Sequence, residues 1–205
     1  ALIEEELPLE QVNAESAREK HLRHGHISTM HLWWARRPLS MSRAVVFASL
    51  VPDPEDVSER KALLDAVART ASFNVANGNP ARMRPLRDAI RKAWPDRRPK
   101  VLDCFAGGGA IPLEAVRLGC DVTATDINPV AHLIQRCVLE FPAKYGGFDD
   151  HGTRPFVDDF VRWAEWVKRQ ADERLAVVFP RPPREGARVA AYFWQYHRQQ
   201  VRLIY

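Results

Sequence analysis

Lys100-Val101-Leu102-Asp103-Cys104-Phe105-Ala106-Gly107-Gly108-Gly109-Ala110 is the stretch on which the fold turns. Its first four residues, ending in a carboxylate, read as a buried strand, and the glycine run after Ala106 reads as a tight loop. Ile111 to Leu118 then has the apolar spacing of a helix, with Pro112 tolerated in its first turn and Gly119 where a C-terminal cap belongs. Asp121-Val122-Thr123-Ala124-Thr125-Asp126 is a second strand that ends in a carboxylate. Asn128-Pro129 caps and opens another helix, which is expected to run to about Glu140, before Pro142. Strand, glycine loop, helix, strand is the first half of a doubly wound parallel sheet, so the expected fold class is α/β with a partial Rossmann-like sheet.

Upstream of this core the chain reads as helical. Asn13 to Lys20 suits a short exposed helix or a turn, and His21 to Pro38 is a run rich in His, Trp and Arg. Met41, Ala44, Val45, Ala48 and Leu50 place a buried helix over Leu39 to Leu50, ending before Pro52. Asp53-Pro54-Glu55-Asp56 reads as a helix start, with Asp53 as the cap and Pro54 at the first helical position; the helix after it would bury Leu63, Leu64 and Val67. Asn77-Gly78-Asn79-Pro80 reads as a loop, and Arg84 to Trp94 as a basic amphipathic helix. Beyond Gly146-Gly147, Pro155 to about Leu175 is one long amphipathic helix with Phe156, Phe160, Trp163 and Val167 on a stripe, broken later by Pro180-Arg181-Pro182-Pro183. Three regions follow: an N-terminal helical region over 1–98, the core over 99–146, and a helical extension over 147–205 that is expected to be cut short.

Composition narrows the classes. Of 205 residues 46% are hydrophobic and 27% charged, which is ordinary for a globular chain. No run approaches the roughly 18 apolar residues of a membrane span, and the acidic start Glu4-Glu5-Glu6 is unlike a secretory leader. No membrane partner is expected, and the cytoplasm is the expected location. The net charge of +4, with a pI of about 9.2, is compatible with a polyanionic partner and by itself decides nothing. Cys104, Cys120 and Cys137 stand too far apart for a zinc site, and an odd total argues against a disulfide framework. They read as small packed residues of a reduced protein, and no metal is expected.

The loop has a chemistry of its own. Glycine lets the backbone approach a ligand that any Cβ would displace, and the N–H groups of the loop and of the following helix terminus favour an electron-rich group such as a carboxylate. Asp103 suits a cationic amino group on the same ligand, and Asp126 lies where an acid accepts hydrogen bonds from two ribose hydroxyls. S-adenosyl-L-methionine carries all of these features. A dinucleotide is the main rival, but its fingerprint needs Gly or Ala at the position Pro112 fills, and Asp103 would lie close to the pyrophosphate. A glycine turn that joins strand to helix and holds no ligand is the plain alternative.

His31-Leu32-Trp33-Trp34-Ala35-Arg36-Arg37-Pro38-Leu39, the Asp103 to Gly109 loop and Thr125-Asp126-Ile127-Asn128-Pro129-Val130-Ala131 together resemble the adenine-specific DNA methylases that carry a zinc ribbon. The resemblance runs from Leu2-Ile3-Glu4 through about Gly146; its Trp-Trp-Ala-Arg-Arg-Pro block is highly specific, whereas the glycine loop is common to most methyltransferases. It implies that Asp103, Phe105, Ala106, Gly107 and Gly109 form the cofactor loop, that Asp126 is the ribose-binding acid and that Ile127 also belongs to the cofactor site. It further implies that Ser28, Thr29 and His31 approach the methionine end of the donor. Trp33 and Trp34 either belong to that loop or pack the N-terminal layer. Arg36 and Arg37 either contact DNA phosphates or pair with acidic residues.

The departures from that family bear on activity. Cys104 stands where proline usually follows the motif aspartate, and neither a cysteine-rich ribbon nor an Asp-Pro-Pro-Tyr loop is present; Phe179-Pro180-Arg181-Pro182-Pro183 echoes the latter only superficially. The resemblance therefore implies the S-adenosylmethionine-binding part of a methyltransferase that acts on the exocyclic amine of adenine in DNA, with the base flipped out of the duplex. No residue is nominated as catalytic, and the chain is expected to be inactive alone. A nucleic-acid-binding remnant and one fragment of a split enzyme, whose partner chain supplies the catalytic half, are the alternatives.

Overall fold

The protein is described from a computed structural model, which covers residues 1–22, 26–72, 80–147, 155–175, 191–195 and 200–204. Two units are distinct, Ala1–Lys144 and Tyr145–Tyr205. The architecture is mixed α/β, mostly helical, with a two-stranded parallel sheet in the first unit and a two-stranded antiparallel sheet in the second.

The first unit is organised around one helix. Before it come α1 (Leu2–Glu5) and α2 (Leu9–His21), then α3 (Leu39–Leu50), α4 (Val57–Ala71) and α5 (Arg84–Ala93). Most of α3 is buried, from Leu39 and Ser40 to Phe47 and Ala48, as expected of a helix apolar nearly all round. It packs against α1, α2, α4 and α5, and Leu2, Val12, Phe47, Val67, Leu86 and Ile90 meet in one core. Both of its ends are closed by other parts of the chain. Pro38, at the N-cap, offers no side-chain acceptor; Glu19 of α2 takes the N–H groups of Leu39 (2.9 Å) and Ser40 (3.4 Å) instead. At the other end the Trp94 indole N–H donates to the Leu50 carbonyl (2.8 Å).

Strand β1 (Lys100–Asp103), helix α6 (Ala110–Leu118) and strand β2 (Asp121–Ala124) follow, and β1 pairs with β2 in parallel from Lys100↔Asp121 to Asp103↔Ala124. α6 packs on both strands and on α3, so Val101 and Val122 join the core. Gly119 closes α6 at φ +94°, as its place in the sequence predicts. The chain continues through α7 (Pro129–Gln135), a π turn (Arg136–Glu140) and α8 (Phe141–Tyr145).

Several expectations are corrected. Leu9–His21 is a full helix, not a short exposed one, because Val12, Ser16 and Glu19 are buried on its inner face. α4 starts at Val57 with Asp56 as its cap, its carboxylate accepting the Glu59 N–H (2.9 Å), while Asp53 is drawn into an ion pair with Arg60. Leu63 and Leu64 are only partly buried beside the buried Val67. β1 alternates rather than being buried throughout, since α6 covers one face and Leu102 on the other is 64% exposed. The helix after β2 continues past Pro142, which falls in the first turn of α8, directly after the π turn, where a missing N–H costs least. Cys120 is buried, and burial raises its thiol to about 11, but Cys104 and Cys137 are exposed.

The second unit holds α9 (Pro155–Leu175) and the antiparallel pair β3 (Ala191–Gln195) and β4 (Gln200–Ile204), in register from Ala191↔Ile204 to Gln195↔Gln200. The helix lies where its apolar stripe predicts; residues 191–195 and 200–204 of the expected helical extension are strands instead, in keeping with the strand preference of Tyr192, Phe193, Trp194 and Val201. The Asn77 to Asn79 loop and the Pro180 to Pro183 breaker lie outside the described residues. Among the described residues no helix is long and apolar enough to cross a membrane.

Candidate functional site

The C-terminal ends of β1 and β2 carry Asp103 and Asp126, and the backbone between them is fixed by short bonds. The Asp103 carboxylate accepts the Phe105 N–H (3.1 Å). The Asp126 carboxylate accepts the N–H of Gly107 (2.8 Å) through one oxygen and that of Asn128 (2.9 Å) through the other. Past the last paired residues, Thr125 N–H donates to the Asp103 carbonyl (2.9 Å) and Ala106 N–H to the Thr125 carbonyl (3.0 Å). Gln135 of α7 closes the ring by donating its amide N–H to the Gly107 carbonyl (3.0 Å). Gly107 has φ +49° and Gly109 φ +78°.

Across the loop lies the segment between the 3-10 turn Ile27–Thr29 and Pro38. Its Trp33 indole sits so close to the loop that a Cβ at Gly107 would come within 2.5 Å of Nε1. Trp34 is 84% exposed and stacks on Trp33 with ring centroids 4.7 Å apart. A cavity of about 430 Å³ opens between the segment and the loop. Asp103, Phe105, Ala106, Gly107, Gly109, Asp126, His31, Arg36 and Arg37 all line it, so the glycine loop, the carboxylate after β2 and the Trp-Trp-Ala-Arg-Arg block meet at one place. Thr29 and Ile127 are not among its lining residues: the Thr29 hydroxyl turns back to the His26 carbonyl (2.6 Å), and Ile127 is 99% exposed. For Ser28 only the backbone, in the 3-10 turn, is described.

The other lining residues include Trp33 and Leu39 of the His31–Leu39 block, while Glu19, Ile27, Ile111, Leu113 and Val138 carry no local sequence signal. Ile27, Trp33, Leu39, Ile111, Leu113 and Val138 make apolar walls, the last from within the π turn, and Glu19 reaches the cavity from α2. Glu19 is 4% exposed, and burial raises its carboxyl above the usual range despite the Leu39 and Ser40 N–H groups and the positive Arg36. Its neighbour His26 has Nε2 at 3.5 Å from the Glu19 carboxylate; burial first, then the charges of Arg36 and Arg117, lower its pKa to about 4. His31 is lowered too, by burial and then by Arg36, which favours the neutral imidazole at the cavity wall.

A second buried group stands behind the wall. Arg43 of α3 is 2% exposed; its Nε donates to the wholly buried Glu114 of α6 (2.6 Å), and its Nη1 donates to the Thr70 carbonyl in the last turn of α4. The other Glu114 oxygen accepts from Arg117 (2.6 Å). This pair locks α6, and with it the glycine loop, to the helical layer. No group of three His, Cys, Asp or Glu side chains able to hold a metal occurs among the described residues.

Residues 6–73 match the family described as "Protein of unknown function (DUF1156)", a match over about a third of the chain that includes the cavity wall from Glu19 to Leu39. No curated protein and no solved structure matches the chain.

Proposed function

We propose that the cavity binds S-adenosyl-L-methionine and that the chain is the cofactor-binding part of a DNA methyltransferase acting on the exocyclic amine of adenine, with a Rossmann-like sheet as its scaffold. The observation that carries this reading is the convergence of two strand-end carboxylates and a glycine loop on one cavity of about 430 Å³, inside the roughly 300–1,000 Å³ range of small-molecule sites. The donor set suits the ligand. Asp103 offers a negative partner to the α-amino group, the N-terminus of α6 favours the carboxylate, and Asp126 accepts from ribose hydroxyls. Each oxygen of Asp126 takes one backbone N–H and retains a further lone pair, so ribose binding does not require breaking the bond to Gly107. When bound, S-adenosylmethionine supplies an electrophilic methyl group. His31, with burial favouring its neutral form, adds no positive charge beside that cationic donor. Arg36 and Arg37, on the same cavity, are the residues we assign to DNA phosphates.

Calorimetric titration with S-adenosylmethionine tests the reading. Asp126→Ala is expected to weaken binding by about tenfold or more, the scale of a lost hydrogen bond to a charged group, and Asp103→Asn to do likewise. No heat from a chain shown to be folded, or equal affinity in wild type and both variants, would reject it.

A further inference from the structure

The chain's positive charge is concentrated in one place. Residues 82–100 contain eight Lys or Arg and two Asp, a net +6, whereas all 205 residues together carry only +4; the rest of the chain is therefore net negative. Four of these eight cations, Arg87, Arg91, Arg97 and Arg98, stand on the walls of a groove of about 560 Å³, with Trp94 and the Gly119 end of α6, while Lys92 pairs with Glu59 (2.6 Å). Arg87 is anchored through the Arg117 carbonyl (2.6 Å), and Arg97 lies 5.5 Å over the Trp94 ring, itself fixed by its bond to Leu50. Arg91 and Arg98 are each 75% exposed, their acidic neighbours Asp88 (3.3 Å) and Asp121 (4.0 Å) at the surface with them. The groove sits before Lys100, at the start of β1, and the glycine loop follows Asp103 at its end. A four-residue strand separates the two by roughly 10 Å. This groove is not part of the cofactor cavity.

We propose that this arginine-rich edge is a second polyanion-binding surface, which holds the phosphate backbone of a nucleic acid independently of sequence. Six of the eight cations are arginines, whose planar fork suits phosphate oxygens, and four of them share the walls of one open groove, more positive charge than a single small anion needs and enough to meet successive phosphates of a polyanion. The edge stands apart from the cofactor reading, since none of its residues lines that cavity.

Fluorescence anisotropy with a labelled duplex of arbitrary sequence, run over a salt series, tests it on the whole chain. Arg91→Gln/Arg97→Gln/Arg98→Gln is expected to weaken duplex binding at least about tenfold and to make the slope of log affinity against log salt shallower by about 3, one unit for each phosphate contact removed. Asp88→Asn, which removes a surface charge next to Arg91, is expected to tighten binding, and it gives a reading even if the triple variant fails to fold. Wild type that does not bind duplex, a triple variant that folds and binds like wild type, or an Asp88→Asn variant that binds no more tightly would each overturn the proposal. So would equal affinity for polyglutamate or for phosphatidylserine vesicles, which would identify a general acidic surface. S-adenosylmethionine titration should be the same in wild type and the triple variant, so failure of the cofactor reading leaves this test intact.

Discussion

Gly107 is held from three sides: its N–H by Asp126, its carbonyl by Gln135 and its α-carbon by the Trp33 indole. Gly107→Ala therefore carries two separable costs, roughly 1–2 kcal/mol for a side chain at positive φ and a further term for displacing Trp33. In a Trp33→Ala background the second term vanishes. Urea unfolding of the four members of this cycle is expected to show a smaller alanine penalty without the indole; equal penalties in both backgrounds would mean that Trp33 does not rest on the loop. At this scale the sequence was informative about the loop and poor about its lid. Asp103, the glycines and Asp126 are legible because strand ends and glycine runs have a local meaning. That Trp33 would lie on Gly107 while Trp34 faces solvent has no local signature, since neighbouring tryptophans in an irregular segment can exchange those places. Thr29 and Ile127, which the resemblance places in the cofactor site, do not line the cavity: the Thr29 hydroxyl bonds the His26 carbonyl and the Ile127 side chain faces solvent.

Among the elements, α3 bears most on the cavity, since it carries both the capped end at Leu39 and the buried Arg43. Arg43→Met would leave Glu114 buried with only Arg117 to compensate it and would open the Thr70 carbonyl, a loss of about 3–5 kcal/mol. Arg43→Met/Glu114→Met removes both charges, and denaturant unfolding is expected to show the double variant losing clearly less than the sum of the single changes. Strict additivity would mean that the two groups do not act as a pair. The bounds of α3 were readable from its apolar spacing and from Pro38 and Pro52 on either side. Its polar interior was not, because Arg43 and Glu114 are 71 residues apart and each looks like a solvated charge in its own window. The same holds for the strand pair of the second unit: pairing is non-local, and the consecutive Tyr192-Phe193-Trp194 shows no period-two alternation.

For the molecule as a whole, the two buried groups nearest the cavity pull stability in opposite directions with pH. His26, lowered from 6.5 to about 4, stays neutral in the folded protein while the unfolded chain takes up a proton, so between about pH 6.5 and 4 its contribution is lost as pH falls. Glu19, raised from 4.5, binds its proton more tightly when folded, so above pH 4.5 its contribution is lost as pH rises. One full proton corresponds to about 1.4 kcal/mol per pH unit. Chemical denaturation at pH 7, 6 and 5 should show a shallower acid loss in His26→Gln than in wild type and a steeper one in Glu19→Gln; the same slope in all three proteins would contradict the assignment. Charge at this scale was partly legible: the basic stretch before Lys100 is plain in the sequence, but the groove it lines exists only once Gly119 is folded against it.

The π turn at Arg136–Glu140 has a genetic consequence. A π turn is what a helix becomes when it accommodates one residue too many, and Val138, in the middle of this one, lines the cavity. Loss of a single codon from this stretch would let the turn relax to a regular helix while α8 keeps its place, so the change falls on the residues of the turn itself. The reading frame would survive and no charged or glycine residue need be lost, yet the cavity would lose a wall. A one-codon deletion should thus be better tolerated here than in the regular helix α7 just before it, at the cost of the Val138 wall.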